Sequence, residues 1–274
     1  PEAHRKNSGL AHIIAADEDE AITDIRTLTD LFANQGFMNA EVKDIDLAAF
    51  VPQSKVRTYE VHPLVEAILD TDAEHIELLS MWAPNMTTVL GRLGGATVGV
   101  LASNPAHIAG ALDAAAGEKA ARFVRTCDAF GIPLIVIADV QGFLPGAGQE
   151  WEGAVRRGAK LLHAFGEAVV PRVTLITRRA YGGAYVAMNS KALGATRVFA
   201  WPDAEVSVMG AVAAVRVLHR RILADLPAEQ RESMELELAA EHEKISGGVI
   251  RAVEIGAVDE IIEPAKTRSA LAKV

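Results

Sequence analysis

From residue 61 onwards, short apolar runs alternate with longer segments whose apolar residues recur every three or four positions. The runs that we predict to be strands are residues 132–140, 172–177, 197–201 and 205–209. The segments with helical spacing are residues 118–130, 151–169, 210–223 and 228–244. Because helices that alternate with strands cover the faces of a sheet, this order predicts an α/β fold with a largely buried sheet.

Two neighbouring glycines, Gly94 and Gly95, separate the apolar runs 89–93 and 97–101. Glycines accept the positive φ angles that a two-residue hairpin turn requires. No helical pattern follows them directly, so we predict a β-hairpin here rather than a phosphate-binding loop.

Residues 1–60 have a different character, and we interpret them as a lead-in helix and a connector that precede one domain over residues 61–274. Asp17 is placed to cap the lead-in helix, and Glu20 follows three residues later as in a capping box. An apolar stripe with helical spacing comes next: Ile22, Ile25, Leu28 and Phe32.

Composition excludes several classes of partner. The chain has 274 residues, half of them hydrophobic, and a net charge of −9. It contains no long basic run, so we do not expect it to bind nucleic acid. It contains neither a secretory signal nor an apolar run of membrane-spanning length, so we expect a cytoplasmic protein without a membrane partner.

A metal site is not indicated by the cysteine and histidine pattern. Cys127 is the sole cysteine, which excludes an intrachain disulfide and a multi-cysteine zinc site. The eight histidines show no metal-ligand spacing, so we expect no metal in this chain. We expect Cys127 to pack on the buried face of a helix.

Common catalytic motifs are absent, including the Gly-x-Ser-x-Gly elbow, the Walker loop and His-Glu-x-x-His. Asp139 lies at the end of a predicted strand, where capping the next loop is the ordinary role. The remaining candidate is Gly182-Gly183-Ala184, which opens a predicted helix after a strand. Two successive N–H groups at a helix start can hold an oxyanion, although the local pattern alone favours close helix–strand packing.

Several long segments, taken together, closely resemble the carboxyltransferase β subunits of acyl-CoA carboxylases, above all the actinobacterial acetyl-/propionyl-CoA carboxylases. The likeness runs from about residue 8 to residue 262 and matches the C-terminal half of such a subunit. The matching segments stand in the family's order, at residues 118–123, 142–146, 149–150, 156–161, 181–185, 200–202 and 208–211.

The resemblance implies a crotonase (ClpP)-like fold built from repeated strand–strand–helix units. It also implies transfer of a carboxyl group from carboxybiotin to the α-carbon of a short acyl-CoA. Acetyl-CoA would give malonyl-CoA, and propionyl-CoA would give methylmalonyl-CoA. Biotin would arrive on a separate carrier, so the implied partners are a biotin carboxylase/biotin carboxyl carrier subunit and further copies of the chain, from a dimer to a hexamer.

The resemblance also implies roles for individual residues. The N–H groups of Gly183 and Ala184 would form the oxyanion hole for the biotin ureido oxygen, while a second hole would lie in the N-terminal half of the subunit. Val186 matches the position that lines the acyl pocket, and its apolar side chain suggests short straight acyl groups. The substrate-binding residues implied in this way are Gly182, Tyr185, Val186, Gly142, Phe143, Gly210 and Ala211.

Three alternatives stay open. The chain would be a carrier-docking or oligomerisation module without turnover if the missing half is required for every step. It would alternatively be the carboxyltransferase of a decarboxylase or transcarboxylase complex, which the motifs in this half do not distinguish from a carboxylase. A CoA hydratase or isomerase of the wider fold would need a carboxylate over the acyl group, and the sequence offers no convincing candidate.

Overall fold

A mixed β-sheet lies at the centre of the computed structural model, which describes residues 2–39, 41–54, 57–246 and 248–274. Within those ranges the sheet has eight strands, in the order β1-β2-β3-β4-β5-β6-β8, and β7 pairs with the end of β5. The strands are β1 (Ile76–Glu77), β2 (Met86–Leu93), β3 (Ala96–Ser103), β4 (Leu134–Val140), β5 (Arg172–Tyr181), β6 (Arg197–Ala200), β7 (Glu205–Ser207) and β8 (Glu260–Ile261). The pairs β1–β2 and β2–β3 are antiparallel, and the others are parallel.

Helices follow most of these strands and cover both faces of the sheet. They are α1 (Glu18–Ala33), α2 (His62–Ile68), α3 (Ala114–Phe130), α4 (Ala147–Trp151), α5 (Ala154–Glu167), α6 (Gly182–Ala187), α7 (Ala211–Leu218), α8 (Arg220–Asp225), α9 (Ala228–Ser246), α10 (Val249–Glu254) and α11 (Thr267–Ala272). Among the described residues, none of these helices has both the length and the apolar character that a membrane span requires.

The predicted hairpin around Gly94 and Gly95 is confirmed. Both glycines have positive φ angles, 56° and 81°, and Leu93 pairs with Ala96 across them. This is the backbone combination of the tight turns that match the twist of paired strands.

Strand β4 shows how the sheet divides the core. All seven of its residues are buried, and their side chains alternate between two apolar clusters. Leu134, Val136, Ala138 and Val140 belong to the cluster under α1, α3 and α5. Ile135 and Ile137 belong to the cluster under α2 and α11.

Helices α3 and α5 approach each other closely at two glycines. A Cβ atom on Gly117 would lie 3.1 Å from the Cα of Gly158, so no larger residue fits without a shift of one helix. Further along α3, Cys127 lies on the buried face of the helix, as predicted, and burial raises the pKa of its thiol.

The lead-in helix is capped as predicted, because the side chain of Asp17 accepts a hydrogen bond from the N–H of Glu20. Its predicted apolar stripe is partly wrong, since α1 buries Thr27 and Leu31 and leaves Ile22 and Ile25 exposed. The buried face of α1 therefore lies nearer its C-terminal end than the predicted stripe, and Leu28 and Phe32 are half-buried at the edge of that face.

Residues before position 61 contribute to both apolar clusters, through Leu31 on one face and Leu47 on the other. The proposed boundary between residues 1–60 and 61–274 stays a prediction, and the connector contains the 3₁₀ turn Leu47–Phe50.

Two predicted helices are each divided in the structure. The segment 151–169 begins earlier, as α4, and breaks at Gly153, whose φ of 78° ends the first helix before α5 starts. The segment 210–223 forms α7 and α8, which meet at His219. Periodicity alone did not reveal either break because the apolar spacing continues across it.

Lys119 is a fully buried cation on α3. Its ammonium group donates hydrogen bonds to the carbonyl oxygens of Leu79 at 2.9 Å and Ala83 at 3.4 Å. Both of these residues have positive φ, 58° and 48°, so Lys119 holds a loop in an unfavourable conformation. Burial lowers the pKa of Lys119 to about 8, and the charge of Glu77 opposes this only in part.

This buried lysine should make stability rise at alkaline pH. Between pH 8 and 10.5, the ordinary pKa of lysine, Lys119 binds more protons in the unfolded chain than in the folded chain. The free energy of unfolding therefore increases as the pH rises. We accordingly expect the free energy of unfolding of wild type, relative to that of Lys119→Met, to increase as the pH rises through that window. Urea denaturation at pH 7 to 10 measures it, with the exposed Lys273→Met as control. A pH-independent difference would contradict the assignment.

Candidate functional site

The turn between β5 and α6 contains the residues that the sequence points to most strongly. Strand β5 ends at Tyr181 and α6 begins at the next residue, Gly182. Gly182 has a φ of 59°, and a Cβ there would lie 2.9 Å from the carbonyl oxygen of Val208. The tight junction therefore requires glycine for both its dihedral angle and its space.

Gly183 and Ala184 present N–H groups of the first turn of α6. Such groups have no partner inside a helix, and no side chain caps α6 among the described residues. The two residues differ in exposure, since Gly183 is exposed and Ala184 is completely buried. A ligand consequently reaches the turn from the Gly183 side, where the absence of a side chain permits close approach.

The loop after β4 lies against this turn. Leu112 donates a backbone hydrogen bond to the carbonyl of Gly142, which has a φ of 141°, and accepts one from Leu144. Phe143 between them packs its ring on two glycines. A Cβ on Gly158 would lie 3.0 Å from that ring, and a Cβ on Gly183 would lie 3.9 Å from it.

The start of α7 lies on the other side of the turn. A Cβ on Gly210 would be 3.5 Å from the ring of Tyr181, whose hydroxyl donates to Glu205 on β7. Ala211 follows as the first residue of α7 and packs against a small apolar cluster that includes Val215.

An apolar cleft of about 680 Å³ opens beside the turn. Gly182, Gly183, Tyr185 and Val186 line one wall, and residues 206–209, α7, α10 and His242 of α9 form the rest. Val186 is 41% exposed, so its side chain is available to a ligand. Burial raises the pKa of Tyr185 to about 12, with a smaller contribution from the charge of Asp259.

The structure thus brings the predicted residues to the carboxyl ends of β4, β5 and β7, which is the edge where α/β sheets bind ligands. Gly142, Phe143, Gly210 and Ala211 flank the turn and do not line the apolar cleft. Their roles in binding stay predictions. No group of three or more His, Cys, Asp or Glu side chains within the described ranges is arranged to hold a metal ion.

Sequence reasoning missed a buried ion cluster beneath the turn. Asp139 does not cap the next loop, as we had expected, but pairs with Arg178 and Arg179. The sequence predicted that this strand ends near residue 177, at the two arginines, but β5 extends to Tyr181. The Asp139 carboxylate neutralises both arginines and so allows them to be buried within the strand. Two arginines in succession after an apolar strand, with one aspartate at the end of its neighbour, were the available signal.

Comparison with known proteins gives the family. Residues 1–274 match the carboxyl transferase domain family. The chain is 59% identical over 274 residues to the biotin-dependent acetyl-/propionyl-coenzyme A carboxylase beta6 subunit of Mycobacterium tuberculosis, covering 99% of this chain and 58% of that protein. It is 54% identical to the propionyl-CoA carboxylase beta chain of Rhodococcus erythropolis, covering 92% of this chain and 54% of that one.

Solved structures agree with this result. The chain superimposes on one chain of the transcarboxylase 12S structure with a TM-score of 0.91 and 37% identity, over 99% of this chain and 53% of that one. For a single-chain, multi-domain long-chain acyl-CoA carboxylase the TM-score is 0.86, with 30% identity over 99% and 27% of the two chains. The chain belongs to the carboxyl transferase family, its predicted crotonase-like α/β fold is confirmed, and it spans about half the length of the curated relatives it matches.

The two glycines of the turn should respond differently to alanine. Gly182→Ala should lower the free energy of unfolding by about 1–2 kcal/mol, because alanine is strained at positive φ and its Cβ would press on the Val208 carbonyl. Gly183→Ala should change it by less than about 0.5 kcal/mol, since its only new neighbour is the Phe143 ring at 3.9 Å. Urea denaturation monitored by circular dichroism provides both values, and equal losses would contradict this account of the turn.

Proposed function

We propose that this member of the carboxyl transferase family supplies the biotin-side half of a carboxyltransferase. The reaction would move a carboxyl group from carboxybiotin to the α-carbon of acetyl-CoA or propionyl-CoA, giving malonyl-CoA or methylmalonyl-CoA. The observation that carries the proposal is the open turn at Gly183, which places unpartnered helix-start N–H groups beside an apolar cleft. The names of the relatives from Mycobacterium tuberculosis and Rhodococcus erythropolis support the acyl-CoA substrates.

Bound carboxybiotin supplies the activated carboxyl group and a ureido oxygen on which negative charge develops. The N–H groups of Gly183 and Ala184 are suited to that oxygen because two donors at a helix start stabilise an anion with little reorganisation. Phe143 packs against Gly183 and fixes the loop that borders the turn. A ligand that covers the exposed apolar walls of the cleft would displace water from them and so strengthen these hydrogen bonds.

The described residues that line the cleft include the polar side chains of Tyr185, His242 and Arg251. Tyr185 has its pKa raised to about 12 and therefore keeps its proton at neutral pH. None of the described residues that line the cleft is a carboxylate. A hydratase or isomerase, which needs a carboxylate over the acyl group, is accordingly disfavoured, whereas a reaction in which biotin itself accepts the proton needs only the oxyanion donors.

We assign to Val186 the role of lining the acyl pocket and limiting the length of the acyl group. It is an apolar residue one turn into α6, and it lines the same cleft as Gly183. The expected partners are a biotin carboxylase/biotin carboxyl carrier subunit and further copies of the chain. The hexamer named for the transcarboxylase 12S structure supports an assembly of that size.

Two alternatives have specific support. The chain spans about half of its curated relatives, so the isolated 274 residues would serve only to dock the carrier if the other half is needed for turnover. Measurable turnover by the isolated chain would exclude that possibility. The likeness to transcarboxylase 12S supports a second candidate, transfer from another carboxylated substrate, which proceeds without ATP and bicarbonate.

The experiment uses the natural protein that contains this sequence, together with its biotinylated carrier and biotin carboxylase. We expect labelled bicarbonate to enter acetyl-CoA or propionyl-CoA in an ATP-dependent manner. Gly183→Val should lower this transfer by ~10²–10³-fold or more, since the side chain blocks approach to the N–H donors. The melting temperature should stay near that of wild type because space is available at this position.

The matched control is Gly166→Val, which adds the same side chain at an exposed glycine of α5 with nothing within 4 Å. It should leave transfer unchanged. Full activity of Gly183→Val would mean that the N–H groups of the turn are not the donors, and absence of transfer in wild type would refute the proposed function.

A further inference from the structure

Asp139 is a buried carboxylate shared by two arginines. It is 1% exposed and lies next to the last residue of β4. Arg178 donates through Nε to Oδ2 at 2.8 Å, and its Nη2 lies 2.7 Å from the same oxygen. Arg179 donates through Nε to Oδ1 at 2.9 Å. Both carboxylate oxygens are therefore occupied, one by each arginine.

An irregularity in the sheet makes this arrangement possible. Ala138 pairs with Ile176, and Val140 pairs with Ala180, so one residue of β4 faces three residues of β5. Side chains of neighbouring residues in a regular strand point to opposite faces. The bulge in β5 changes those directions, as bulges do, and allows Arg178 and Arg179 to meet the same carboxylate.

The cluster cross-links β4 and β5 close to the point where both strands enter the site, one residue before the backbone pair of Val140 and Ala180. Three residues after Arg179, β5 turns at Gly182 into α6. Four residues after Asp139, the loop from β4 places Phe143 against Gly183. The relative position of the turn and the loop is consequently set at Asp139.

Arg178 extends the cluster to the connector. Its Nη1 donates to the carbonyl oxygens of Ser54 at 3.0 Å and Arg57 at 2.9 Å. Its guanidinium group lies 4.7 Å from the centre of the Tyr59 ring, which is the geometry of a cation–π contact. Burial, together with the charge of Asp139, raises the pKa of the Tyr59 hydroxyl, so this ring stays neutral.

We propose that Asp139, Arg178 and Arg179, here called the Asp139 clamp, are positioning residues that hold the Gly183 turn at a fixed distance from the Phe143 loop. Only the catalytic consequence rests on the proposed function; the positional claim does not. The clamp touches no ligand itself. It acts through the backbone of β5 and β4, and oxyanion donors lose much of their effect when misplaced by a fraction of an ångström.

The two arginines contribute differently, which provides a matched pair of variants. Arg178 donates through Nε to Asp139 and through Nη1 to two backbone carbonyls, and its Nη2 lies 2.7 Å from Asp139 Oδ2 without the geometry of a hydrogen bond. Arg179 contacts Asp139 through Nε, while its Nη2 is buried without a hydrogen-bond partner in the described structure. A lysine can replace a single ion contact, but not an arginine that binds a carboxylate and two carbonyls through separate nitrogens. Arg179→Lys should therefore preserve the clamp, and Arg178→Lys should not.

The positional claim is tested by hydrogen exchange of the natural protein, read by mass spectrometry on peptides that cover residues 141–146 and 178–187. In wild type, local opening of these segments must break the clamp, whereas in Asp139→Asn and Arg178→Lys it does not. Both variants should therefore exchange ~10-fold faster in these peptides. Peptides from α3 should stay at the wild-type rate, and so should the whole chain in Arg179→Lys. If Asp139→Asn does not fold, Arg178→Lys decides the question alone. Unchanged exchange, or an equal increase over the entire sheet, overturns the proposal.

The catalytic consequence is tested by steady-state carboxyl transfer, well below the melting temperature of each variant. Asp139→Asn and Arg178→Lys should lower kcat by ~10-fold or more, while the KM for acyl-CoA changes less than ~2-fold. Arg179→Lys should retain the wild-type kcat. A loss of folded protein alone would lower the apparent enzyme concentration equally for all readouts and would not speed local exchange. Faster exchange with unchanged kcat overturns the positioning role. If wild type shows no transfer at all, the proposed function fails, and the exchange measurement still decides whether the clamp exists.

Discussion

The parallel pairing of β4 with β5 is the constraint on which the rest of the molecule depends. These strands are buried on both faces, and the helices that follow them, α4 and α5 after β4 and α6 after β5, must therefore start at the same edge of the sheet. Parallel strands deliver their carboxyl ends together. The Gly142 loop and the Gly183 turn are neighbours for that reason, although about forty residues separate them in the sequence.

A core of small aliphatic residues offers few polar groups that could hold irregular backbone in place. Buried charged side chains do so instead, as Lys119 and Asp139 illustrate. Lys119 ties down a loop through the carbonyls of Leu79 and Ala83. Asp139 ties down two strand ends through Arg178 and Arg179. In each case the charge has defined partners, because an unpaired buried charge would cost several kcal/mol. Each charged group thus fixes a segment that apolar packing alone would leave free to shift.

The elements with strong local signals could be predicted from the sequence. The Gly94-Gly95 hairpin, the Asp17 cap and the continuous apolar run of β4 each depend on nearby residues, and the structure has all three. The turn at Gly182 was also found, although its catalytic reading came from resemblance and stays a prediction. What the sequence did not reveal depends on distant partners. Arg178 and Arg179 looked like the end of a strand because nothing local shows that Asp139 neutralises them. The break at Gly153 was hidden by apolar spacing that continues across it.

Phe143 occupies a space that three segments share. Its ring is bounded by Gly158 of α5 and by Gly183 of the turn, and Gly158 in turn supports the close approach of Gly117 on α3. The volumes at Phe143, Gly158 and Gly117 cannot change independently. In the evolution of such a chain, a methyl group gained at Gly158 is tolerated only after the aromatic ring becomes smaller, and that change removes the wall beside Gly183. Replacements at these positions must therefore occur in pairs. The packing of α3 against α5 consequently restricts which residues the loop after β4 can place beside Gly183.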